Sequence, residues 1–145
     1  MSEPEQSFEN HAKMVPLYHY WATGLLVVPT LYFAYQTVTS FSVEHLMTLL
    51  FAIGVLLAGF FTRVFPLGVQ DRLIRLEERL RMERLLPEEL KRRIEEISTE
   101  HLVGLRFASD EELADLVRRV LDGELRDRKE VKASIRSWRA DYQRI

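Results

Sequence analysis

The sequence contains no cysteine among its 145 residues. A disulfide framework, a thiol nucleophile and a thiolate metal site are therefore excluded, and cysteine usage says nothing of redox compartment. Charge is also missing where it matters. Asp, Glu, Lys and Arg are absent between Lys13 and Glu44, and again between His45 and Arg63. The formal net charge of -2 and mean hydropathy of -0.12 thus average two unlike halves into the semblance of a soluble domain. Catalytic signatures are lacking as well: there is no glycine-rich phosphate loop, no Gly-x-Ser-x-Gly elbow and no His-Glu-x-x-His. Histidine is scarce, and His11, His19, His45 and His101 form no ligand cluster by spacing. These absences predict no enzyme, no catalytic residue, no metal site and no cofactor.

The uncharged stretches are long. About 20 helical residues cover the ~30 Å hydrocarbon layer of a bilayer, and the runs at about 17–38 and 43–65 are of that order. Backbone polar groups in hydrocarbon must be paired within the segment, so both runs are predicted as helices, joined by Thr39–Glu44 into a hairpin. The division that follows is an N-terminal cytoplasmic segment at 1–16, a transmembrane hairpin at 17–65 and a cytoplasmic helical region at 66–145. Orientation comes from the basic residues: Lys13 precedes the first run and Arg63, Arg72, Arg75 and Arg79 follow the second, whereas the hairpin loop has none. Both termini are expected in the cytosol, in a multi-pass protein. Tyr18, Tyr20 and Trp21 at one end of the first run, with Tyr32, Phe33 and Tyr35 at the other, suit the two lipid interfaces. A cleaved signal peptide is the competing reading, opposed by the acidic Glu3, Glu5 and Glu9, by the run's length and by the second run behind it.

Within the runs, Pro29 predicts a kink or frayed turn. Gly54, Ala58 and Thr62 recur every four residues and predict a helix-packing stripe, for the other run or for another protomer. Thr23, Thr30 and Thr48 supply little polarity at mid-bilayer, a poor basis for a transport pathway. Asn10, His11 and His19 form a candidate polar site at the cytoplasmic membrane face; His19 is read either as a proton-responsive group or as an interfacial hydrogen-bonding residue.

Beyond Pro66 and Gly68, which are expected to punctuate the exit, Val69, Leu73, Leu76 and Leu80 follow a 4-3-4 spacing. This leucine seam reads as a short parallel coiled coil between protomers or as a face packed on downstream helices. Leu86–Glu89 predicts a helix start carrying Leu90, Ile94 and Ile97 inward, and Thr99 is a candidate cap for a brief helix through Leu105. Ser109 with Glu112 spells a capping box for a helix with Leu113, Leu116, Val117, Val120 and Leu121 on one face, ended by Gly123. Asp127 with Glu130 repeats that logic for a last helix placing Val131, Ile135 and Trp138 inward. The acidic pairs Glu77-Glu78, Glu88-Glu89, Glu95-Glu96 and Glu111-Glu112 read as solvated faces. A basic surface of Arg128, Lys129, Lys132, Arg136 and Arg139 could meet anionic lipid or phosphate. From Arg63 onward, however, 19 basic and 18 acidic residues nearly cancel, which argues against nucleic acid.

Asn10-His11, Pro16-Leu17-Tyr18-His19, Gln70-Asp71-Arg72, Arg75-Leu76-Glu77-Glu78-Arg79, Leu105 through Leu113, and Asp127-Arg128-Lys129 ahead of Trp138-Arg139 together resemble a family of small bacterial membrane proteins classed as a domain of unknown function. The resemblance covers nearly the full chain. It implies a two-span protein of the bacterial inner membrane with a cytoplasmic helical tail, and no assigned activity. The expectation is an all-α fold, a two-helix transmembrane hairpin followed by a cytoplasmic bundle of amphipathic helices, serving as a non-enzymatic anchor, interaction or scaffold protein. Its partners would be the lipid bilayer, further copies of itself, and a membrane or cytosolic protein. The alternatives are an accessory subunit of a membrane transporter or enzyme, and a membrane-tethered nucleic-acid or lipid-surface binder.

Overall fold

The computed structural model describes residues 7–8 and 14–141 and is all-α, with no β-strand among the described residues. A π-helical turn, Leu17–Ala22, leads into α1 (Thr23–Thr39). Then come α2 (Val43–Leu85), α3 (Glu88–Lys91), a 3-10 turn at Ile94–Glu96, α4 (Thr99–Leu105), α5 (Leu113–Leu121) and α6 (Arg128–Ser134). Two compact units are present, one formed by Met14–Leu67 and the other by the described residues from Gly68 onward.

In the first unit, the predicted disturbance at Pro29 is not where the winding changes. α1 runs through Pro29, and the irregular turn lies at Leu17–Ala22. There Thr23 donates to Tyr18 O through both its backbone N–H and, at 3.1 Å, its Oγ1. An acceptor five residues back, engaged twice, holds the wide turn. Ser42 starts α2 by accepting the His45 N–H on Oγ at 3.0 Å, with Glu44 in the positive first turn. Among the three glycines of α2, only Gly59 is closely approached. A Cβ there would stand 2.7 Å from Leu26 Cδ1, and Tyr18 Oη donates to Gly59 O at 3.0 Å.

α2 does not end at Pro66 and Gly68 as expected but continues for 43 residues. Proline deletes one donor from the ladder, and helix already propagated on both sides absorbs that loss. α2 is long and apolar enough to cross a membrane, and none of its apolar window is buried within the chain. It alone passes that test among the described residues; the helical stretch before it is divided between the π turn and the 17 residues of α1.

The second unit has a contiguous core of Met82, Leu86, Leu90, Ile94, Ile97, Leu102, Leu105, Phe107, Leu113, Leu116, Val117, Val120, Leu125, Val131 and Ile135. Most of these are the residues singled out by periodicity. The single helix expected after Pro87 is instead the one-turn α3 and a 3-10 turn, which nevertheless bury Leu90, Ile94 and Ile97. Ser98, rather than Thr99, caps α4 by accepting from His101 N. Gly104 lets α4 and α6 meet, since a Cβ would lie 3.0 Å from Val131 Cβ. Gly123 ends α5 with φ of 78°, the left-handed stop predicted for it.

The leucine seam does not pack on the downstream helices. Val69, Leu73, Leu76 and Leu80 are 54% to 66% exposed, and the buried positions are Ile74, Glu78, Arg81 and Met82. Those four also share one helical face, and the bundle uses that face because its arginine and glutamate find partners there.

Candidate functional site

The second unit carries an open groove of about 1610 Å³. Leu76, Leu80 and Leu85 form its apolar edge on α2, and Arg106, Ser109, Asp110, Trp138, Arg139 and Asp141 line it from later in the chain. At its floor lies a charge network. Arg81, 4% exposed, donates from Nε to Asp110 Oδ1 at 2.8 Å, from Nη2 to the same oxygen at 2.6 Å and to Ala108 O at 2.7 Å, and from Nη1 to Glu78 Oε2 at 3.0 Å. Glu78 is 5% exposed and has Arg139 Nη1 3.7 Å from its other oxygen. Burial raises the Glu78 carboxyl above its ordinary value, opposed by the charge and hydrogen bond of Arg81 and by the charge of Arg139.

A second cluster adjoins the first. Arg106 pairs with Asp141, Nε to Oδ2 at 3.1 Å, and its guanidinium carbon lies 4.4 Å from the Phe107 ring centre. Trp138 packs beside the same ring, with centroids 5.0 Å apart. The strand-like bridge of Ala108 and Trp138 holds this wall: Ser109 N donates to Ser137 O at 3.0 Å and Arg139 N to Phe107 O at 2.7 Å.

Glu112 fastens the bridge further. Its Oε1 accepts from Ser109 N at 3.4 Å and Ser137 N at 3.1 Å, and its Oε2 accepts from Arg136 N at 3.1 Å. Half of the expected capping box is thus present. The other half is absent: Ser109 Oγ is buried without a hydrogen-bond partner, and α5 begins only at Leu113. Drawn to the Arg136 and Ser137 amides, Glu112 takes the place of the cap itself. At the Asp127 cap, Oδ1 accepts from Lys129 N and Glu130 N as expected, while Glu130 Oε2 reaches one residue past the cap amide and accepts from Arg126 N. α6 nevertheless stops at Ser134, so Trp138 reaches the core through the bridge rather than along a helix.

The residues singled out from the sequence fare unequally. Asn10 and His11 lie outside the described residues. His19 turns back on its own helix, with Nδ1 2.9 Å from Val15 O. Gly54, Ala58 and Thr62 are exposed and make no helix contact within the chain at Gly54, where a Cβ would meet nothing within 4 Å. Of the basic surface, Arg128, Lys129, Arg136 and Arg139 are exposed, but Lys132 is withdrawn to 8% exposure with Nζ 5.1 Å from the Phe107 ring centre. Glu78 is the chief correction among the acidic pairs: it is a buried network member, while its neighbour Glu77 stays solvated. The available signal was phase, since Glu78 and Arg81 fall in step with Ile74 and Met82 on α2.

Arg81 commits four N–H donors inside the fold, which makes it a clamp on the 108–110 segment rather than a free anion receptor. Among the described residues no group of three or more His, Asp or Glu is placed to hold a metal ion. The arrangement therefore supports a rigid, charged and aromatic surface beside an apolar helix edge. No curated protein and no solved structure matches the chain. The model of a family of unknown function, DUF6526, matches residues 1–145, full-length coverage that makes the chain a member of that family.

Proposed function

We propose that the protein is a non-enzymatic interaction protein of a bacterial cytoplasmic membrane, held by a two-helix hairpin with both termini and the helical unit in the cytosol. One observation carries the anchoring: the apolar window of α2 has no burial within the chain. The preceding helix is equally bare, with Leu25, Val28 and Leu31 exposed. Water does not tolerate apolar surface all around two helices, whereas lipid covers it at no cost. Leu17–Thr39 has 23 helical residues, π turn included, which matches a second crossing. The basic residues after the second crossing orient it. The interaction role is supported by the groove, whose charged groups are pre-ordered by one another and whose aromatic wall is pinned by Glu112.

Alkaline carbonate extraction of membranes holding the full chain tests the anchoring, and paired cytosolic and periplasmic reporters fused at Ile145 test the orientation. Retention in the pellet with only the cytosolic reporter active is expected. Release into the supernatant without detergent, or activity of the periplasmic reporter, would overturn the reading.

A further inference from the structure

We infer that the exposed seam of α2 seats a second copy of this chain, parallel and in register. The inference deepens the interaction role proposed above and rests on it. At 3.6 residues per turn, the seam of Val69, Leu73, Leu76 and Leu80 points about 150° away from the face formed by Ile74, Glu78, Arg81 and Met82. The bundle occupies the latter face, so it leaves the seam exposed, with Leu76 and Leu80 on the outer edge of the groove. The spacing is that of alternating d and a positions in a coiled coil.

The flanking charges choose the occupant. Arg72 and Arg79 take g positions, and Gln70, Glu77 and Arg84 take e positions. In a parallel pair each g residue meets the e residue of the following heptad across the interface, so Arg72 faces the partner's Glu77, and symmetry makes the contact twice. An antiparallel pair would set g against g, arginine against arginine. Arg72 and Glu77 are exposed and make no ion pair within the chain among the described residues, whereas Arg79 is already neutralised by Glu95 at 2.7 Å. The complementary charges are therefore available, and Arg79, which the same register sets opposite the partner's Arg84, is engaged by Glu95 within its own chain. The seam spans less than two full heptads, but α2 is already a 43-residue helix, so association has no helix nucleation to overcome. Insertion into one membrane in one direction further makes parallel alignment the arrangement open to two copies.

Because the chain has no cysteine, a single introduced thiol reports on its own surroundings. In membranes containing the full chain, Leu76→Cys is expected to give disulfide-linked dimer on mild oxidation at least ten times faster than Arg75→Cys, which lies off the seam. On the Leu76→Cys background, Arg72→Glu or Glu77→Arg alone should slow the reaction several-fold, and the two together should restore it. Far-UV circular dichroism of each purified variant in detergent identifies any that has lost its helices; Leu73→Cys then repeats the comparison from the adjacent seam position. Equal rates on and off the seam, no dimer at either seam position, or a charge exchange that restores nothing would each overturn the inference. Carbonate extraction of the same membranes separates the two readings: retention without seam dimers counts against the seam alone, and seam dimers released without detergent count against the anchor alone.

Discussion

At the scale of single residues, Glu78 and Arg81 make the strongest energetic claim. A buried ion pair adds little net stability over an apolar pair, but removing one partner strands the other in a poor solvent. Arg81→Ala is accordingly expected to destabilise the helical unit by about 3–5 kcal/mol, read from denaturant unfolding of the full chain in detergent. Glu78 also sets a pH dependence. Its folded pKa is raised above the ordinary 4.5, so the folded state binds the proton more tightly than the unfolded state. Its penalty is therefore complete above the raised value and is relieved as pH falls toward 4.5. Asp127 has the opposite sign: the Glu130 and Lys129 amides lower its pKa from 3.8, and its stabilisation, present above 3.8, is lost as pH falls through the lowered value. Unfolding midpoints followed from pH 7 down to 3 should show Glu78→Gln flattening the slope just above 4.5, and Asp127→Asn flattening it below 3.8. Unchanged slopes in both variants would remove these assignments.

At the scale of elements, the caps and crossings set the order of the second unit. Gly104 stands where α4 meets α6, and Gly104→Ala pushes a methyl to 3.0 Å from Val131 Cβ with Arg128 O at 3.3 Å. Neither neighbour is the free end of a flexible side chain, so a loss of about 1–3 kcal/mol is expected by the same unfolding measurement. Glu112→Ala leaves the Arg136 and Ser137 amides without their acceptor, while Ser109 N keeps Ser137 O. Hydrogen exchange should then quicken at Arg136 and Ser137 while α5 keeps its protection; uniform loss across α5 would mean that Glu112 serves the helix rather than the bridge. Much of this layer was legible in the sequence. Asp127, Gly123 and the apolar positions of α5 act within about one turn of themselves, and they behave as their residue types require. Ser109 was misleading because Glu112 is claimed by amides 24 and 25 residues away, a competition that local spacing cannot register.

At the scale of the whole molecule, the proposed anchoring makes a prediction independent of any partner. An arginine at the centre of the apolar part of α2, as in Val55→Arg, costs about 2.5–3.5 kcal/mol of insertion. Carbonate-resistant protein should fall sharply, while Thr62→Arg, beside Arg63 at the end of the run, should be tolerated. Arginines placed in the Ser40–Ser42 connection should oppose the basic flank and shift reporters at Ile145 toward the other side. Indifference to both changes would leave the bare apolar surface in need of a protein cover instead of lipid.

The residue order by itself determined the all-α character, the two long uncharged stretches, most of the core positions and the helix ends set by Asp127 and Gly123. Those features follow from period and from contacts within a few positions, which are written linearly along the chain. Only the tertiary structure decided which face of α2 is covered, that Lys132 and Glu78 are withdrawn from water, and that α2 continues through Pro66 and Gly68. Each depends on partners far away in the chain or on helix to either side: Arg81 finds Ala108 and Asp110 across 27 and 29 residues. Two faces of α2 were equally helical in spacing, and burial went to the one whose charges could be paired.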